Sequence, residues 1–129
     1  MKIMLSRDLK EEYMEKIRKI MPGYELIKAL DVDSQEREII DSDILISFPT
    51  DIDVEIIKKA NNLKWLHSWS AGVDMFTAPE IITFLIENDI KLTTSSGIHG
   101  NIIDEQTLGL MISFSRRATS PGFCALSSG

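Results

Sequence analysis

Two loops carry the residues best able to do chemistry in this 129-residue chain. The first is Trp69–Ser70–Ala71–Gly72–Val73–Asp74. Small residues at Ser70, Ala71 and Gly72 let backbone N–H groups close around an anion such as a carboxylate or a phosphate. Gly72 is the sensitive position, because a Cβ there would block the anion or strain a positive φ. The same spacing also suits a tight strand-to-helix turn in which Trp69 only packs, and the pattern leaves both readings open. The second loop is Ser95–Ser96–Gly97–Ile98–His99–Gly100–Asn101. Gly97 and Gly100 permit a sharp backbone path into a helix whose start is electropositive. This is a GxxG fragment only. Neither the GxGxxG dinucleotide fingerprint nor the GxxxxGK[ST] phosphate loop is present, and a turn that merely redirects the chain accounts for it equally well.

Other constellations carry less. Ser68–Trp69–Ser70–Ala71–Gly72 approximates a G-x-S-x-G nucleophile elbow with Ser in place of the first Gly. A hydrolase using Ser70 would need an acid and a histidine after it, and only His99 follows. His67 and His99 have no cysteine or carboxylate at metal-ligand spacing, so no metal site is expected. His67 falls within a strand pattern and reads as structural. Asp104 and Glu105 open a helix, where acids favour the dipole without doing chemistry.

The elements that position these loops alternate in type. Lys2–Ser6, Tyr24–Ile27, Ile44–Phe48, Leu63–Trp69 and Lys91–Ser95 read as strands, the third as a continuous apolar run suited to burial on both faces. Between them, Asp8 with Glu11 predicts a capping box for a helix carrying Leu9, Tyr13, Ile17, Ile20 and Met21, stopped by Pro22–Gly23. Asp33 or Ser34 opens a short helix to Ile40, and Asp51 or Asp53 caps another bearing Val54, Ile57 and Ala60. Thr77 with Glu80 predicts a second capping box, with Pro79 at an early helical position. Asn101 caps a final helix to about Arg117, with Ile103, Thr107, Leu108, Met111, Phe114 and Ser115 on one stripe. Strand–helix alternation implies right-handed crossovers and a parallel sheet. The expected fold is α/β, a flavodoxin-like parallel sheet of about five strands with helices on both faces. Ala118–Gly129, with Pro121 and three serines, has no period and reads as a tail.

Composition narrows the function classes. Hydrophobic residues at 43% and charged residues at 26% are globular proportions and argue against a disordered chain. A domain of this size buries about two-thirds of its unfolded surface, so it needs no disulfide or metal staple. The net charge of −6 argues against nucleic acid or an anionic membrane as partner. The apolar run Ile81–Ile86, broken by Thr83, is too short to span a bilayer. The first residues, with Lys2, Arg7 and Asp8, lack the apolar centre of a signal peptide. Cys124 is the single cysteine and can form no internal disulfide. A cytoplasmic location is the expectation.

At its two loops the sequence resembles the D-isomer-specific 2-hydroxyacid dehydrogenases. The likeness rests on Leu63–Lys64–Trp65–Leu66–His67–Ser68–Trp69–Ser70–Ala71–Gly72–Val73–Asp74 and on Thr93 through Arg116, in matching order and separation. It extends through the strand–helix rhythm from Met1 to the tail. The resemblance implies that residues 1–100 form the substrate-side domain, that 101–117 form the helix leading toward a cofactor domain, and that 118–129 are a non-family tail. It implies that backbone amides at Ser70, Ala71 and Gly72 hold the carboxylate of a small 2-hydroxy or 2-keto acid. Positions matching Ala71 and Asp104 face NAD or NADP in that family, although Asp104 stands where a small residue is usual. Glu105 matches an acid near the helix start, and His99 lies beside the substrate loop without being the acid–base histidine. The family's Rossmann domain, with its glycine fingerprint, arginine, glutamate and histidine, has no counterpart in this sequence, nor has the returning carboxyl-terminal helix. No catalytic residue is therefore assigned, and the expectation is a truncated substrate-binding half, inactive by itself and binding no NAD or NADP. The alternative is a stand-alone flavodoxin-like binding or interaction module without redox activity. The apolar stripe on helix 101–117 is wider than one contact face needs, so it either pairs with its copy in a homodimer or is the least protected element.

Overall fold

The computed structural model describes residues 1–72, 74–97 and 100–115. The chain divides into two units, Met1–Ser96 and Gly97–Gly129. In the first unit the strands are β1 (Lys2–Leu5), β2 (Glu25–Lys28), β3 (Ile44–Ser47), β4 (Trp65–Ser68) and β5 (Lys91–Thr94). All pair in parallel, in the order β2-β1-β3-β4-β5. This is the flavodoxin-like order expected from the sequence, with the chain reversing direction across the sheet between β1 and β3. The helices are α1 (Glu11–Ile20), α2 (Val32–Glu38), α3 (Val54–Ile57) and α4 (Pro79–Glu87), with a 3₁₀ turn at Asp74–Thr77.

Strand alternation divides the core between the two sheet faces. Met4, Leu45 and Leu66 point to one face and pack with Ile39, Ile56, Ile57, Phe76, Ile81 and Leu85 from α2's end, α3, the 3₁₀ turn and α4. Ile3, Leu5 and Ile44 point to the other face and pack with Met14 of α1, with Trp65 and Trp69 against them. All four residues of β1 are buried, as befits a strand flanked on both sides and covered on both faces, whereas β5 at the sheet edge alternates exposed and half-buried.

Several helix starts differ from the sequence expectations. Asp8 does not cap α1. Its carboxylate takes the Lys28 ammonium at 2.6 Å, and Lys10 stands at the N-cap without a side-chain hydrogen bond. The box that does form is Asp31 with Ser34: Ser34 N–H donates to Asp31 Oδ1 at 2.9 Å, so α2 is capped at Asp31, ahead of the expected Asp33 or Ser34. Thr77 makes no box with Glu80, because its hydroxyl donates back to the Asp74 carbonyl at 3.0 Å and closes the 3₁₀ turn. Asp53 caps α3 and Pro79 occupies the first turn of α4, as expected. The second unit contains α5 (Gly100–Ser115), so Asn101 lies inside the helix instead of capping it. The expected end near Arg117 and the tail 118–129 lie outside the described residues. Along α5, Ile103, Leu108 and Met111 are exposed.

Charge fixes the amino-terminal side of the sheet. The Lys64 ammonium at 2.9 Å and the Lys2 backbone N–H at 2.8 Å hold the Asp43 carboxyl below the usual carboxylate range. Lys2 and Arg37 do the same for Glu38. A carboxyl whose folded pKa lies below its unfolded value stabilises fully above the unfolded value, about 4, and loses that contribution as pH falls through the folded one. The urea midpoint should therefore be level near neutrality and fall below about pH 4. Asp43→Asn should lower the midpoint at pH 7 and flatten this acid limb. An equally steep limb in the variant would remove Asp43 as a contributor.

Candidate functional site

The loops that leave β3 and β4 at their carboxyl ends bound a cleft of about 220 Å³. Phe48, Pro49 and Thr50 form the wall after β3, and Ser70, Gly72, Asp74 and Met75 form the wall after β4. Neighbouring parallel strands deliver both loops to one end of the sheet, which is where open α/β sheets bind ligands.

A buried hydroxyl builds the β4 loop. Ser68, the last residue of β4, has no solvent exposure. Its Oγ accepts the Ser70 N–H at 3.2 Å and lies 3.4 Å from the Ser70 and Gly72 carbonyls, to which it can donate. One step further, Ser70 Oγ accepts the Gly72 N–H at 3.2 Å. The Trp69 N–H donates to the Ser47 carbonyl at 3.0 Å and pins the loop's first residue to β3. Of the amides expected to face an anion, that of Ser70 is committed to the scaffold. That of Gly72 is held only by a rotatable hydroxyl, and the exposed Ala71 amide has no hydrogen bond to another described residue. Val73 lies outside the described residues.

Gly72 departs from expectation in one respect. Its φ is not in the left-handed region, which among the described glycines only Gly23 and Gly97 occupy. A Cβ at Gly72 would lie 3.8 Å from Asp74 Oδ2 and 3.8 Å from Ser70 Oγ, an ordinary contact. Glycine at 72 therefore keeps the approach to the amides open and relieves no backbone strain.

The opposite wall is anchored from β1. The Arg7 guanidinium lies 4.0 Å above the Phe48 ring and grips Asp51 through two bonds of 2.7 and 2.8 Å. Phe48 meets Trp69 edge-on, with ring centroids 5.9 Å apart. The buried Gln35 amide donates to the Asp51 carbonyl at 2.9 Å, tying the same turn to α2. These wall residues carry no motif in the sequence. The signal that could have found them is positional: Phe48–Pro49 ends the strand next to β4, so its loop must share β4's crevice.

The remaining candidates do not gather here. His67 turns its Nδ1 to Thr93 Oγ1 at 2.8 Å and its Nε2 toward Ser95 at 3.4 Å, and burial pushes its pKa down. The indole N–H of Trp65 also donates to Thr93 Oγ1, at 2.8 Å. No described imidazole is placed to activate Ser70, and His99 lies outside the described residues, so nothing in the geometry builds a serine hydrolase. Asp104 is exposed on α5 in the second unit. No group of three or more metal-ligating side chains occurs among the described residues, and no described helix is long and apolar enough to cross a membrane.

No family model matches the chain. It is 34% identical over 82 residues to a glyoxylate reductase of Thermofilum pendens, a match covering 63% of this chain and 23% of that protein. Among solved structures it resembles a D-isomer-specific 2-hydroxyacid dehydrogenase family protein of Aeromonas salmonicida, with a TM-score of 0.70, 24% identity, and coverage of 90% of this chain and 36% of that one. The NAD⁺-bound 3-phosphoglycerate dehydrogenase of Entamoeba histolytica superposes with a TM-score of 0.64 at 26% identity, covering 88% of this chain and 38% of that one. Sequence and fold together bear out the resemblance to the D-isomer-specific 2-hydroxyacid dehydrogenases. The chain spans about a quarter of the length of the curated relative it matches.

The role of Ser68 is testable apart from any ligand. Ser68→Ala leaves the Ser70 amide without its buried acceptor, which should cost about 1–3 kcal/mol in urea denaturation. Ser70 should also exchange its amide hydrogen faster than the β3 and β4 amides do. Unchanged exchange at Ser70 would show that the loop is held by something else.

Proposed function

We propose that this chain is the substrate-binding half of an NAD(P)-dependent D-2-hydroxyacid dehydrogenase, an oxidoreductase acting on the CH–OH group of 2-hydroxy acids. The observation that carries this reading is the cleft at the carboxyl ends of β3 and β4, lined by Ser70 and Gly72, with the Gly72 amide held only by the Ser70 hydroxyl. A ligand carboxylate takes the place of the Ser70 hydroxyl on the Gly72 N–H and gains the Ala71 N–H, which bonds to no other described residue. The substituent on the acid's second carbon then lies between Phe48 and Met75.

The chain's residues fit one part of a nicotinamide cofactor only. Ala71, small and exposed in the β4 loop, suits the nicotinamide side, and Asp104 is the second candidate contact. A pyrophosphate needs a helix start, whereas the β4 loop runs into a four-residue 3₁₀ turn. When bound, the cofactor supplies hydride exchange with the acid's second carbon. This chain's part is to bind and orient the acid, and the proton and hydride steps are assigned to no residue here. In the same reading a second copy of the chain covers Ile103, Leu108 and Met111 on α5, since leaving such side chains in water forgoes about 1.5–3 kcal/mol each.

Amide shifts of the ¹⁵N-labelled chain on titration with pyruvate test the site. The largest should fall at Ser70, Ala71 and Gly72. Scattered shifts, or none at saturating pyruvate, would remove the loop as a carboxylate site. The chain alone should not oxidise NADH with pyruvate, glyoxylate or hydroxypyruvate beyond a heat-denatured control, and turnover above that control would contradict the assignment of half a site. Sedimentation equilibrium should give a dimer that Leu108→Lys dissociates, and a wild-type monomer would contradict pairing through α5.

A further inference from the structure

The cleft walls carry information about the rest of the ligand, and this inference rests on the carboxylate reading above. Beyond the amides, the surfaces that meet a substituent are mostly apolar: Phe48 and Pro49 with Thr50 on one side, Met75 on the other. The charge in the lining is that of Asp74, whose Oδ2 stands 3.8 Å from the space above Gly72. Arg7, the cation that braces the Phe48 wall, is already paired. Its guanidinium is paired through two nitrogens with both Asp51 oxygens and sits 4.0 Å over the Phe48 ring, a bidentate arrangement that commits it to these partners. A second anionic group on the ligand would thus meet a carboxylate and a largely apolar wall, with no free positive charge among the described lining residues to offset its desolvation.

We propose that this site selects monoanionic 2-keto or 2-hydroxy acids with a small apolar substituent and rejects dianionic ones, whether dicarboxylic or phosphorylated. Asp74 is the discriminating residue. It weakens binding of any anion, and weakens most an anion with two charges, while Phe48 and Met75 reward a branched aliphatic group.

The test compares 4-methyl-2-oxopentanoate with oxaloacetate, in which a carboxylate replaces the isopropyl group, using the whole chain and amide shifts at Ser70–Gly72 to read affinity and site together. The 4-methyl acid should bind at least about tenfold more tightly, from like-charge repulsion and lost apolar contact. Asp74→Asn should raise the affinity for oxaloacetate more than that for the 4-methyl acid and so narrow the gap. Asp74 is exposed, and Thr77 bonds its backbone carbonyl instead of its side chain, so this substitution leaves the 3₁₀ turn intact. Oxaloacetate binding as tightly as the 4-methyl acid at the same amides would overturn the selectivity and leave the carboxylate loop standing. A gap unchanged by Asp74→Asn would overturn the role of Asp74. If neither acid nor pyruvate moved those amides, the carboxylate reading would fail and the selectivity with it.

Discussion

Three buried serines end the three central strands. Ser6, Ser47 and Ser68 follow or close β1, β3 and β4, where the last cross-strand backbone bonds form and the loops begin. A buried polar group left unpaired there would cost about 1–3 kcal/mol. The hydroxyls meet that need locally. Ser6 Oγ donates to Ser47 Oγ at 2.6 Å, Ser47 Oγ donates to the Phe48 carbonyl at 2.7 Å, and Ser68 Oγ accepts the Ser70 N–H. Small side chains can do this without filling the space above them. The β3 and β4 loops can therefore diverge and leave a cleft, and everything proposed for function depends on that opening.

The cleft's chemistry follows from what flanks this floor. One wall is cross-braced: Arg7 lies over the Phe48 ring, Phe48 meets Trp69 edge-on, and Asp51 and Gln35 tie the same turn to Arg7 and α2. The other wall is a short loop and a 3₁₀ turn with exposed Gly72, Asp74 and Met75. A fixed apolar wall facing a loop with one uncommitted amide suits a ligand with one anionic end and one apolar end. The acidic pairs that stabilise the sheet, at Asp43 and Glu38, lie at the amino-terminal side of the strands, away from the ligand-binding ends. Stability and binding thus draw on different charges.

Much of the fold is legible in the sequence because a buried parallel strand such as Ile44–Ser47 must be apolar throughout and its crossovers must be helical. Strand ends were less so. Leu63 is buried in the core, and its apolar character predicts a strand two residues before β4 begins to pair at Trp65. Caps failed where another partner competed: Lys28 took Asp8, and the Asp74 carbonyl took the Thr77 hydroxyl, neither visible from local spacing. In the site, Ser70–Ala71–Gly72 stands out as a run of small residues. Phe48, Pro49 and Met75 do not, because their relation exists only once β3 and β4 are adjacent, and an apolar residue in a loop has no signature of its own.

The central claim is that an acid binds with its carboxylate on the Ala71–Gly72 amides and its substituent between the two walls. The most direct measurement is the set of intermolecular NOEs between the whole chain and 4-methyl-2-oxopentanoate labelled with ¹³C in its methyl groups. The account predicts cross-peaks from those methyls to the Phe48 ring and the Met75 methyl. Cross-peaks to residues outside the cleft, such as the exposed Ile20 of α1 or Ile86 of α4, with none to Phe48 or Met75, would contradict it.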